Sequence, residues 1–394
     1  MSSPPLLELT PPALDRLPEL TAVLAADAAE HDRDARFPYR GVAAVHQAGL
    51  LTATVGRAHG GPGAGLADTV RILQALGAGD PAVALVTAMT LFTHAAQTRS
   101  SDWPQESYEL LLHESTTRPV LVNALRVEPE LGSPVRGGLP RTVAVPRGDH
   151  WELTGHKIFS TGAEALGWML VWARTDEPVP RVGSFLVRGG SEGVTVLPTW
   201  NHLGLRASRS DDVLLEAVRV PLGQVAGLAE PGSGGGRDET GGAWNSLGLT
   251  ALYLGVARAA QQWLTGFLHE RVPSALGAPL ATLPRFQTAV GEIDIALSGA
   301  ERLVRALAAD VDAGDPAAAR QAGGAKVLGT RAAIGAVEQA VALVGNHGLT
   351  YDNPLQRHHR DVLCSRVHTP QDDMSLLAAG RAALGPVATS VKGN

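Results

Sequence analysis

Two apolar stripes in the last third of the chain constrain its fold more than any other feature. Phe286, Val290, Ile293, Leu297, Ala300, Val304, Leu307 and Val311 recur at alternating steps of four and three residues, and Val327, Thr330, Ile334, Val337, Val341 and Val344 repeat the pattern. In an α-helix that spacing sets every member on one face, so each segment predicts a long helix with a side to bury. With Trp244–Leu268 before them and Met374–Leu384 after them, they predict an antiparallel four-helix bundle over residues 243–394.

Upstream the texture changes twice. From Pro11 to Ser115 apolar residues also recur every three or four positions, as in Leu66–Leu76 and Val83–His94, with breaks at Pro38, Gly60–Gly65 and Asp80-Pro81. This predicts a helical domain over residues 1–118. Residues 119–230 instead carry short β-rich runs, Val143–Val145, Trp168–Trp172, Phe185–Val187, Val194–Leu197 and Val213–Val220, separated by Gly, Pro and Asp. Residues 231–242 are Gly-rich and read as a connector. The fold class is mainly α with a central β-domain.

Composition narrows the function. A chain of 394 residues with 44% hydrophobic content can build several cores, and a net charge of −6 with no basic run offers nothing to nucleic acid or an anionic membrane. The single cysteine, Cys364, excludes a disulfide framework and a Cys-based zinc site. With no basic, apolar leader at the N-terminus and no run of about 18 apolar residues, a soluble cytoplasmic protein is expected. His347, His358, His359 and His368 lack the helical pairing and supporting carboxylate of a metal site, so no metal is expected. The glycine patterns of nicotinamide and nucleoside triphosphate sites are missing.

Five segments carry more specific patterns: Glu128-Pro129-Glu130-Leu131-Gly132-Ser133; Gly155-His156-Lys157-Ile158-Phe159-Ser160-Thr161-Gly162; Leu203–Ser208; Pro284-Arg285-Phe286-Gln287; and Ala340–Gly348, leading through Asn353-Pro354 to Arg360-Asp361. Each also reads as ordinary structure, the first as a turn, the second as a strand entering a turn and the fourth as an exposed arginine at a loop. Together, in this domain order, they resemble the acyl-CoA dehydrogenase superfamily across nearly the whole chain.

That resemblance implies a flavin cofactor. Val127, Gly132 and Ser133 fall in the family's first flavin loop, with Val127 where the family usually carries Thr or Ser. Phe159 is implied to pack on the flavin ring, with Ser160 and Thr161 at its polar edge. Arg285, Phe286 and Gln287 correspond to the helix start whose arginine reaches the flavin pyrophosphate of a neighbouring subunit, a role that suits a bidentate guanidinium. A homotetramer, or at least a dimer, is implied with it. Gly345 and Asn346 lie in the cofactor block, where Ala342 replaces a glutamine that often meets adenine. FAD is expected, with FMN as the alternative.

The dehydrogenases of this family take the α-proton of an acyl thioester with a glutamate. Most carry it nine residues after the Arg of the Arg-Asp pair, which here is Thr369; some carry it ten residues before the glycine that is Gly255, which here is Asn245. Neither is an acid, and Thr369, Pro370 and Asp372 read as cap, first and third positions of the last helix. The run Arg360-Asp361 to His368-Thr369-Pro370 more closely resembles the family's flavin-dependent monooxygenase branch (group D), whose members use oxygen and reduced flavin from a separate reductase and keep a histidine near it. His368 is then the first catalytic candidate, as an imidazole suited to proton work near neutral pH, with His94 and Ser160 as secondary ones. His368 also reads as a packing residue near a helix start. Three functions are carried forward: a reduced-flavin monooxygenase on a small molecule, an acyl-CoA dehydrogenase with another base, and a non-catalytic flavin-binding protein.

Overall fold

A computed structural model of the chain describes residues 14–131, 138–233 and 238–385. The chain divides into two compact units, Met1–Asp238 and Glu239–Asn394.

Among the described residues the first unit holds five α-helices before its strands: α1 (Leu17–Asp34), α2 (Tyr39–Gln47), α3 (Leu66–Gly79), α4 (Pro81–Ser100) and α5 (Gln105–Ser115). The Asp80-Pro81 break makes the sharpest of these boundaries. Asp80 caps α4 by accepting from the N–H groups of Ala82 at 2.9 Å and Val83 at 3.4 Å, while Pro81 fills a first-turn position that needs no donor.

Eight strands follow: β1 (Leu121–Leu125), β2 (Val143–Arg147), β3 (His150–Lys157), β4 (Leu166–Thr175), β5 (Val182–Arg188), β6 (Val194–Leu197), β7 (Asp212–Pro221) and β8 (Val225–Ala229). They form one mixed sheet in the order β6-β7-β3-β2-β4-β5-β8, and β1 runs parallel to β4 beside Leu166–Val171. Trp103, Tyr108, Leu111 and Leu112 from the helical part share a buried cluster with Val122, Trp168, Leu170 and Leu186 of the sheet. One apolar core therefore serves both textures seen in the sequence.

The second unit holds α6 (Glu239–Glu270), α7 (Pro284–Asp312), α8 (Pro316–Leu343), α9 (Leu355–Leu363) and α10 (Asp372–Leu384). The three long helices pack on one another, α9 packs on α8 and α6, and α10 packs on α8. Both stripes point inward: Phe286, Ile293, Leu297, Val304 and Leu307 are buried on α7, and Val327, Thr330, Ile334 and Val337 on α8. The fourth place in the bundle is thus shared by two short helices. The last helix starts later than the sequence suggested. Gln371 is extended at its cap, Thr369 lies outside it and no side chain caps it, while Asp372 and Asp373 supply the negative charge that favours a helix N-terminus.

Candidate active site

In the first unit the first and second sequence patterns meet around β3. Lys157, at the end of β3, is fully buried, and its ammonium donates to Glu128 Oε1 at 2.6 Å and to the Trp172 carbonyl at 2.6 Å. Glu128 also accepts from the Arg141 N–H at 2.6 Å and from the N–H and hydroxyl of Thr142 at 3.1 and 2.6 Å. Burial pushes the Glu128 carboxyl up, but these donors outweigh it and hold it below the usual carboxylate range. Burial also lowers Lys157, opposed by Glu128. The four donors on one carboxylate decide for the ion-pair form. The pair anchors the Val127 segment to the strand end, where the Ile158 N–H donates to the Val127 carbonyl at 3.0 Å.

Immediately beyond, the chain takes an unfavourable turn. Phe159 sits in the left-handed region at φ 56° yet leaves 54% of its surface exposed. A bulky side chain gains nothing for the core there and pays backbone strain, the pairing expected where a ring is held out for a ligand. Its ring lies edge-on to Trp200 at 6.4 Å and to His202 at 6.0 Å, and those two rings stack at 3.6 Å. Trp200 is fixed by Asp211, which accepts from its N–H at 2.8 Å, and by its own indole N–H, which donates to the Leu205 carbonyl at 3.0 Å.

Ser160 is buried, and its Oγ has no hydrogen-bond partner among the described residues. Thr161 beside it is fully engaged: its hydroxyl accepts from Ser210 at 3.1 Å and its carbonyl from Asn123 at 3.1 Å. His94, on α4, is a core residue with 0% exposure; its Nδ1 meets the Tyr108 hydroxyl at 3.0 Å, its Nε2 is buried without a partner among the described residues, and burial lowers its pKa to about 4. Gly132 and Ser133 lie outside the described residues.

In the second unit, His368 is half-buried between α9 and α10, and its Nε2 lies 2.7 Å from the hydroxyl of Tyr253, a buried residue of α6. Burial and then the charge of Lys326 on α8 lower its pKa to about 4, so the imidazole is neutral at physiological pH. Lys326 is itself buried, and among the described residues its ammonium donates to the Ser365 carbonyl alone, at 3.4 Å. The two positions where a glutamate was sought are joined, with the Asn245 side-chain amide donating to the Thr369 carbonyl.

Arg285 and Gln287 are exposed at the start of α7. The Arg285 guanidinium lies 4.5 Å from the ring of the buried Phe286 and has no carboxylate partner among the described residues, so it is open to an anion. Phe286 props the arginine rather than offering a surface of its own. Gly345, at φ 58°, and Asn346 are exposed in the short helical turn after α8. Among the described residues no group of three or more His, Cys, Asp or Glu could hold a metal ion, and no helix is long and apolar enough to cross a membrane.

Sequence reasoning missed Trp200, His202, Tyr253 and Lys326. The first two stand just before the Leu203–Ser208 segment, where two rings ahead of a glycine turn could have been noticed. Tyr253 is the one phenol within an aliphatic stretch of α6, and Lys326 the one cation on the buried stripe face of α8.

Comparison with known proteins agrees with this architecture. Family models for the acyl-CoA dehydrogenase N-terminal, middle and C-terminal domains match residues 20–106, 126–218 and 247–372. The chain belongs to the acyl-CoA dehydrogenase family, whose members are flavin-dependent oxidoreductases. YdbM of Bacillus subtilis (strain 168), which carries an acyl-CoA dehydrogenase name, is 31% identical over 348 residues, 88% of this chain and 90% of YdbM. KijD3, solved with FMN and dTDP-3-amino-2,3,6-trideoxy-4-keto-3-methyl-D-glucose, is 26% identical with a TM-score of 0.82, covering 99% of this chain and 98% of KijD3. The methanesulfinate monooxygenase MsuC from Pseudomonas fluorescens shares the fold at 23% identity and a TM-score of 0.81, over 97% of this chain and 99% of MsuC.

Proposed function

We propose that this protein uses reduced flavin and molecular oxygen to oxygenate a small molecule, with His368 as the side chain that acts on substrate or oxygen at the site. The observation that carries this reading is the Asn245–Thr369 contact. At both positions where the family's dehydrogenases place glutamate stands a neutral side chain, and the amide of one is spent on the backbone of the other. Neither a carboxamide nor a threonine hydroxyl can take an α-proton at neutral pH, whereas a neutral imidazole can still bind an oxygen through its N–H.

The residues present fit a flavin. In the first unit Phe159 offers a ring face, with Trp200 and His202 as its side walls, and Ser160 Oγ is a buried hydroxyl with no partner among the described residues; in the second unit, taken by itself, Arg285 has no carboxylate partner among the described residues and can pair with a phosphate. Bound there, the flavin supplies the electrons that activate oxygen. Val127 and Thr161 frame the loop, and Gly345 and Asn346 border the cofactor block. FMN suits the chain as well as FAD, since Ala342 cannot make the amide contact to adenine and KijD3 holds FMN. A homotetramer is the proposed assembly, supported by Ile295 and Leu328, which leave 76% and 60% of their surfaces exposed on α7 and α8. A separate reductase would supply the reduced flavin.

The similarity to YdbM favours a second reading, dehydrogenation of an acyl thioester with a base at another position. Replacement of His368 by Ala separates the two. Under reduced flavin and oxygen, oxygenated product should fall about 100-fold, the usual weight of one proton-handling group, while hydrogen peroxide release rises and flavin affinity stays unchanged. Product formation at the wild-type rate in His368→Ala would remove His368 from the reaction.

A further inference from the structure

The Tyr253–His368 contact says which way this histidine works. Tyr253 is 1% exposed on α6, and among the described residues its hydroxyl has one hydrogen-bond partner, His368 Nε2 at 2.7 Å. Burial first, then Cys364 and Asp361, push the phenol well above its usual range, so it keeps its proton. A buried O–H must donate, and the only acceptor it has is the Nε2 lone pair. The reverse arrangement, with Nε2–H donating to the phenol oxygen, would strand the phenol proton in the interior. Protonating the ring would strand it too, and Lys326 from α8 opposes that second positive charge. Asp372 of α10 acts on Lys326 and is paired with Arg331.

We infer that Tyr253 is a positioning residue for His368: its hydroxyl occupies Nε2, fixes the proton on Nδ1, and turns the open edge of the imidazole into an N–H donor. Nδ1 has no protein partner among the described residues. This deepens the proposed function and rests on its assignment of His368 to the site. It also changes the role of that residue. A complete proton transfer from Nδ1 would leave either an imidazolate or, if the phenol proton followed to Nε2, a buried phenolate, and burial disfavours both anions. His368 therefore gives a hydrogen bond to an anionic or carbonyl oxygen at the site. It does not strip a proton from the substrate, because the lone pair that would do so is already taken.

The test reads the tautomer without turnover. In full-length protein labelled with ¹⁵N-histidine, the His368 ring signals are identified by their loss in His368→Gln. The expected wild-type pattern is a protonated Nδ1 and an unprotonated Nε2, shifting to the Nε2–H form in Tyr253→Phe. Carbethoxylation of His368 by diethyl pyrocarbonate, followed by peptide mass spectrometry, should quicken at least several-fold in Tyr253→Phe as the lone pair is released. An Nε2–H tautomer in the wild type, or identical spectra and labelling rates in the two proteins, would overturn the inference. Should Tyr253→Phe fail to fold, the wild-type spectrum decides alone. Neither readout needs oxygen or substrate, so a protein that fails as an oxygenase yet shows the Nδ1–H form would sink the proposed function and leave the Tyr253 contact standing.

Discussion

Phe159, Trp200 and His202 stand at the surface of the first unit on loops braced from beneath, whereas Tyr253, Lys326 and His368 come from separate elements of the second unit and turn their polar atoms inward. The first group presents exposed ring area, and the loop that carries Phe159 follows the buried Lys157–Glu128 pair. In the second, burial and a neighbouring cation set the protonation state of His368. An exposed ring tolerates water and strain. The imidazole of His368 is held instead by its hydrogen bond to Tyr253.

The largest effect should follow from breaking the support of the exposed face. Lys157→Met leaves Glu128 ionised and buried with no counter-charge, which should cost about 3–5 kcal/mol in denaturant unfolding, while Glu128→Gln combined with Lys157→Met recovers part of the loss. A single variant within about 1 kcal/mol of wild type would show that the pair is no anchor. Next comes acid. Burial lowers His94 in the first unit to about 4, and burial with Arg357 lowers His358 in the second to about 3. Both folded values lie below that of the unfolded chain, so the unfolded state binds more protons as pH drops below about 6.5, and stability present at pH 7 is progressively lost toward pH 4. About 2 kcal/mol per histidine should be gone by pH 5. A flat unfolding free energy between pH 7 and 5 would contradict the burial of both rings.

The smallest effect on stability belongs to Phe159. A glycine there relieves the left-handed strain at a similar entropic cost, so Phe159→Gly should unfold within about 1 kcal/mol of wild type and no earlier than Phe159→Ala, which keeps the strain. Flavin titration should nevertheless show a clear loss of affinity in both. Unchanged affinity would mean that the exposed ring is not a cofactor surface.

What the sequence disclosed follows from the same contrast. The stripes Phe286 to Val311 and Val327 to Val344 were legible because a helix writes its buried face at a fixed period, and Phe159 to Thr161 because a contiguous pattern carries a loop whole. The Lys157–Glu128 contact joins two motifs that sequence reading had kept apart. Tyr253 and Lys326 carried little local signal: a single polar residue on an apolar face is ordinary until the fold brings it to His368, 115 and 42 residues further along the chain. Thr369 was misplaced at the helix cap because Thr-Pro-x-Asp is a sound helix start by propensity, but the chain enters α10 only at Asp372.

The central claim, that a neutral Asn245–Thr369 contact replaces the dehydrogenase base, is tested most directly by mixing the oxidised, flavin-loaded protein with acyl-CoA thioesters of short, medium and long chain under anaerobic conditions. The visible absorbance of the flavin should persist over minutes with every chain length. Rapid bleaching by any of them would contradict it, because it would require a carboxylate or equivalent base to take the α-proton as the flavin accepts the hydride.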